Sequence, residues 1–125
     1  MRHYETYGRH KAYATPQVTD KHIRRLDREI WKPGGYRTNM AVLEIGCGTG
    51  LVMAYLHRKG VRSLTGIDQD AALADVVPEP VRGAFEVADA WAFIDKTVAN
   101  STTYDRIIMF DVIEHFESEA GWRLL

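Results

Sequence analysis

Seven residues near the middle of the chain, Glu44-Ile45-Gly46-Cys47-Gly48-Thr49-Gly50, constrain what it can fold into more than any others. Glycines at three alternating positions weaken the start of a helix unless the backbone must bend sharply or approach another group closely. The residues before them, Ala41-Val42-Leu43-Glu44-Ile45, form a short strand-like run. The residues after them, Leu51 to Lys59, carry Leu51, Met53, Tyr55 and Leu56 as a helix would, with Gly60 as its stop. A strand therefore runs through a glycine turn into a helix.

The same alternation continues downstream. Ser63 to Ile67 reads as a second strand ending at Asp68, and Ala71 to Val77 as a weak helix closed by Pro78 and Pro80. Ala84 to Val87 is a third strand ending near Asp89. Trp91 to Val98 is a helix with Trp91, Ile94 and Val98 on one stripe. After the polar loop Asn100 to Thr103, Arg106 to Phe110 reads as a fourth strand. Strands alternating with helices imply right-handed crossovers, hence an α/β fold built on a doubly wound parallel sheet. In such sheets a ligand binds at the carboxyl ends of the strands, here Gly46, Asp68, Asp89 and Asp111.

Residues 1–36 stand apart from this pattern. Met1 to Ala14 is an irregular arm rich in Tyr, His, Arg and Lys. Thr15-Pro16 is the expected helix start, with Ile23, Leu26 and Ile30 on one face and Pro33-Gly34-Gly35 as the stop. Residues 37–125 then form a ligand-binding half-domain. The last residues, Gly121-Trp122-Arg123-Leu124-Leu125, read as an amphipathic helix cut short. The expectation is therefore an N-terminal part of a longer domain, or two copies pairing through the open edge of the fourth strand.

Composition narrows the partners. Sixteen basic residues against seventeen acidic give a net charge of −1, so no overall field draws the chain to nucleic acid. The longest strongly apolar run, Ile107 to Ile113, is broken by Asp111 and falls well short of the roughly 20 residues of a membrane span. The polar start resembles no secretory signal, and one cysteine, Cys47, allows no internal disulfide. A cytoplasmic location is expected.

The turn itself discriminates among small ligands. A dinucleotide-binding oxidoreductase module calls for G-x-G-x-x-G, whereas the third glycine here comes one place early. Glu44, two residues before the first glycine, would repel a pyrophosphate but suits an ammonium group. Glycines and a helix start also offer N–H groups and the positive end of a helix dipole to a carboxylate. Asp68, at the end of the second strand, can accept from both hydroxyls of a ribose, and Asp89 is a second strand-end acid.

These residues resemble the class I S-adenosylmethionine-dependent methyltransferases. The resemblance lies in Val42 to Gly50, in Gly66-Ile67-Asp68, in Ala88-Asp89-Ala90, and in Tyr104 to Ile108 with Asp111-Val112-Ile113-Glu114-His115. It implies S-adenosyl-L-methionine as cofactor and a small molecule as methyl acceptor. Glu44 and the loop Gly46, Cys47, Gly48 and Gly50 would hold the methionine end, Asp68 the ribose, Gln69 one adenine face, and Asp89 with Ala90 the adenine edge. Phe110 and Asp111 would line the methionine side. The family's domain has seven strands and this chain supplies about four, which leaves open a non-catalytic binding or assembly module.

Methyl transfer from a sulfonium is a displacement at an already activated donor, so a base is needed only when the acceptor carries a proton. His115 is the candidate base, with Glu114 beside it; the competing reading has both capping or packing the next helix. Asp111-x-x-Glu114-His115 also resembles an E-x-x-E-H metal arrangement with Asp in the first place, and no metal site is assigned. His3, His10, His22 and His57 lack ligand-like spacing. Cys47 reads as a small loop residue rather than a nucleophile. Trp31, Trp91 and Trp122 read as core or interface. Tyr4, Tyr7 and Tyr13 either fold over the cofactor or stay solvated.

Overall fold

The computed structural model describes residues 13–109. Helix α1, Asp20–Leu26, begins at a capping box: the Thr19 hydroxyl accepts from the His22 N–H while the His22 ring accepts from the Thr19 N–H. This start lies four residues beyond the Thr15-Pro16 expected from sequence. The helix continues through a widened π-helical segment, Asp27–Trp31, into the last turn α2, Lys32–Gly34, and Gly35 closes it in the left-handed conformation. Leu26 and Ile30 are buried, as their spacing anticipates.

The core is a parallel sheet. Strand β1, Ala41–Ile45, is followed by α3, Leu51–Lys59, and then by β2, Ser63–Asp68. A 3₁₀ segment, Ala71–Asp75, leads to the short helix α4, Glu79–Arg82. The helical segment thus stops ahead of Pro78, as read from sequence, and Pro78 and Pro80 flank the start of a new turn, where a missing N–H costs nothing. Strand β3, Phe85–Val87, helix α5, Ala90–Ala99, and strand β4, Arg106–Ile108, complete the described order.

The sheet order is β3-β2-β1-β4. Ala41 to Ile45 of β1 stand opposite Ser63 to Ile67 of β2, Val42 opposite Arg106 of β4, and Gly66 of β2 opposite Phe85 of β3. The chain winds outward from β1 through β2 and β3, then returns to add β4 on the other side. The order thus reverses at the carboxyl end of β1, the crevice where this class of sheet binds ligands.

Alternation along β1 divides the core. Val42 packs with Leu26, Ile30, Tyr55, Leu56 and Val61 beneath α1 and α3, whereas Leu43 and Ile45 pack with Ile67, Ala90 and Phe93 beneath α5. A third cluster joins Cys47, Met53, Leu73, Val77 and Val81, with Tyr13 and Phe85 partly buried against it. It supports the glycine turn from below. A polar network fastens α1 to α3: Tyr55 donates to Asp27, Lys59 pairs with Asp27 at 2.9 Å, and the Lys59 ammonium lies 4.8 Å from the centre of the Trp31 ring. No helix among the described residues is long and apolar enough to cross a membrane.

Candidate functional site

The glycine turn is held by main-chain bonds to β2. The N–H groups of Gly46 and Cys47 both donate to the Ile67 carbonyl at 2.9 Å, and that of Gly50 donates to the Cys47 carbonyl. Gly46, Gly48 and Gly50 all have positive φ, the conformation that the alternating glycines foretell. Around Gly50 the space is tight, since an added Cβ would meet Val77 at 3.0 Å. A Cβ added at Gly48 would meet nothing within 4 Å. The turn is thus closed on its inner side and open at Gly48.

Asp68, at the end of β2, completes the inner bonding. One carboxylate oxygen accepts from the Gly48 N–H and the other from the Asp70 N–H, each at 3.0 Å. Sequence reasoning expected the loop's N–H groups to face a ligand. Instead those of Gly46, Cys47, Gly48 and Gly50 are spent on Ile67, Asp68 and the loop itself. What the loop leaves open is the Cα edge of Gly48, next to a carboxylate that keeps acceptor lone pairs on both oxygens.

The surrounding field is negative. Glu44 is only 3% exposed, two residues before the first loop glycine and on the same face of β1 as Val42. Burial, reinforced by the charges of Glu44 and Asp68, pushes the Cys47 thiol well above its ordinary range. Tyr36 is likewise raised, mainly by burial, with Arg106 opposing and Glu44 adding to the shift. The loop therefore has two carboxylates, Glu44 and Asp68, as its nearest charges.

The third strand end lies next in the row. The Ala88 N–H donates to the Asp68 carbonyl at 2.9 Å, which places Asp89 beside β2's terminus. Asp89 caps α5 by accepting from the Ala92 N–H at 3.0 Å and is exposed, while Ala90 behind it is buried. Gln69 is half-buried between Asp68 and Asp70. The structure thus gathers Glu44, Gly46, Cys47, Gly48, Gly50, Asp68, Gln69, Asp89 and Ala90 at the carboxyl ends of three adjacent strands. Phe110, Asp111, Glu114 and His115 lie outside the described residues.

One member went unnoticed in the sequence. Asp70, 7% exposed, caps the 3₁₀ segment through the Ala72 N–H and accepts a 2.8 Å hydrogen bond from the Tyr13 hydroxyl. Asp followed by Ala-Ala-Leu is a capping pattern that could have revealed the first contact. The second joins residues 57 apart and leaves no local trace. Among the described residues no group of His, Cys, Asp and Glu is arranged to hold a metal ion.

No curated protein matches the sequence significantly. A family model described as "Methyltransferase domain" matches residues 13–122, nearly the whole chain, and the parallel α/β sheet with its glycine turn has the order that such a domain requires. The chain belongs to the methyltransferase domain family, with the class I, Rossmann-like fold.

Proposed function

We propose that this protein binds S-adenosyl-L-methionine at the ends of β1, β2 and β3 and transfers its methyl group to a small-molecule acceptor. The observation that carries this reading is the polarity of the glycine turn. Four of its N–H groups point inward, and the buried Glu44 and the half-buried Asp68 make its surroundings negative. A pyrophosphate needs N–H donors and a positive field. A ligand with an ammonium and a ribose needs the reverse, which argues for an adenosyl amino acid over a dinucleotide.

In this reading Glu44 offsets the ammonium charge, and the uncluttered Cα edge of Gly48 lets the ligand approach the main chain. Asp68 accepts from the ribose hydroxyls with the lone pairs left by Gly48 and Asp70. Gln69 covers one face of the adenine. Asp89, with one oxygen committed to Ala92, offers the other to the adenine amino group beside Ala90. The bound sulfonium supplies an activated methyl group, and the chain's own part is to fix the donor and exclude water. On the acceptor side the sequence alone nominates His115 as proton acceptor, while Phe110 and Asp111 would line the methionine side of the cofactor pocket.

Calorimetric titration tests the reading with S-adenosylhomocysteine and NAD as competing probes. The expected result is one-site binding of the former, absence of binding by the latter, and at least tenfold weaker binding after Asp68→Ala, since hydrogen bonds to a charged group are at stake. Binding of NAD alone, or an unchanged affinity in the variant, refutes it.

A further inference from the structure

A continuous chain of hydrogen bonds runs from the N-terminal segment to the glycine turn. The Tyr13 hydroxyl donates to one Asp70 oxygen at 2.8 Å; the other Asp70 oxygen accepts from Ala72. The Asp70 N–H in turn donates to Asp68, whose second oxygen accepts from Gly48. Asp70 is nearly buried, so few waters can replace the Tyr13 hydroxyl, and a carboxylate deprived of a donor there would turn or draw in solvent. The Tyr13 ring is itself anchored, packed against the cluster of Cys47, Met53, Leu73, Val77 and Val81 that underlies the turn. It bonds the segment that carries Asp68 and Gln69 and packs beneath the loop that carries Gly48.

We propose that Tyr13 is a positioning residue of the ligand site: by donating to Asp70 it holds Asp68 and the glycine turn in the arrangement that receives the ribose. This rests on the adenosyl-ligand reading above and adds a residue that the strand-end motifs do not contain. Because Tyr13 acts through Asp68, its removal weakens ligands that carry a ribose and does so only while Asp68 can respond. Binding and the Tyr13–Asp70 contact strengthen each other, as linkage requires of any two coupled equilibria.

The test is a double-mutant cycle on the full chain, read by calorimetry with adenosine and S-adenosylhomocysteine. Tyr13→Phe keeps the ring and removes the hydroxyl that donates to Asp70. It is expected to weaken both probes about fivefold, the lower end of ordinary coupling between sites. In an Asp68→Asn background the same change is expected to cost less than twofold. Asp70→Asn, which offers one oxygen where two are used, is expected to reproduce the loss and serves alone if the phenylalanine variant does not fold. Unchanged affinity in both variants overturns the proposal, and so does an equal, additive loss in the Asp68→Asn background, which would make Tyr13 a general structural support. If the unmodified protein binds neither probe, the functional reading itself fails, an outcome distinct from a Tyr13 variant that binds as tightly as the parent.

Discussion

Replacing Gly66 by alanine probes how tightly the floor of the site is packed. Gly66 has ordinary extended backbone, so its need for glycine is one of space. A Cβ built there would run into Met53 Sδ and would lie 2.6 Å from Met53 Cε and 3.2 Å from Cys47 Cβ. The Met53 thioether is flexible, but at 1% exposure among Leu73, Val77 and Val81 it can give way only by repacking within that cluster. Overpacking of this kind costs about 1–3 kcal/mol. Against it stands about 0.4–1 kcal/mol gained by restricting the unfolded chain. The net expectation is a loss of about 1–2 kcal/mol. With an unfolding entropy of about 2.1 cal/mol/K per residue, a chain of this length loses about 4 °C of melting temperature per kcal/mol, so a drop of roughly 4–8 °C should appear in calorimetric or circular-dichroism melts. Pairing the change with Met53→Ala separates causes: the truncation removes the clashing atoms, so the double variant should be at least about 1 kcal/mol more stable than the sum of the single effects. A Gly66→Ala protein that melts at or above the parent temperature would refute the reasoning.

Other expectations follow from the same contacts. Gly48→Ala meets no atom within 4 Å but must hold φ near +56°, so it should fold with a loss of about 1 kcal/mol and bind S-adenosylhomocysteine more weakly than it melts; unaltered binding counts against the open edge as the ligand's approach. Cys47, buried and raised by its own desolvation, should resist a thiol reagent at pH 8 in the native protein and react at once in denaturant; rapid native labelling contradicts the burial. Asp27 is held below the usual carboxylate range, first by the Tyr55 hydroxyl and then by Lys59, so its contribution to stability is present above about pH 4 and disappears as acid titrates the folded carboxylate. Tyr55 is raised by burial and by Asp27, so its contribution is full below about pH 10 and is lost as pH rises further; Tyr55→Phe should flatten melting temperature against pH at the alkaline end. Thr19→Ala should cost about 1 kcal/mol in chemical denaturation by removing the cap of α1, and no measurable cost would place the helix start elsewhere.

Where local chemistry fixed an element, the sequence was sufficient to find it. Strand β1 and helix α3 have the bounds read from the chain because Gly46 ends the strand and Gly50 and Gly60 bracket the helix, with Gly60 closing α3 in the left-handed conformation as a C-terminal stop should. The start of α1 was misplaced because its cap is completed by His22, where the usual signature has Glu or Gln, so the weaker Thr15-Pro16 signal prevailed. The widened turn Asp27–Trp31 has no local cause: it accompanies the contacts of Asp27 and Trp31 with Tyr55 and Lys59 on α3, which only the folded arrangement shows. In the site the acids were legible because strand-end aspartates are local marks. The inward bonding of the loop was not, since it depends on the Ile67 carbonyl and Asp68, about twenty residues away.

The double acceptance by the Ile67 carbonyl has an evolutionary corollary. Because the Ile67 carbonyl holds Gly46 and Cys47 through backbone atoms, that part of the bend does not depend on which side chains occupy positions 45, 47 and 67, whereas its bond at Gly48 needs the Asp68 carboxylate. Those positions answer only to volume and apolarity, so sequence drift there can proceed while the bend keeps its shape.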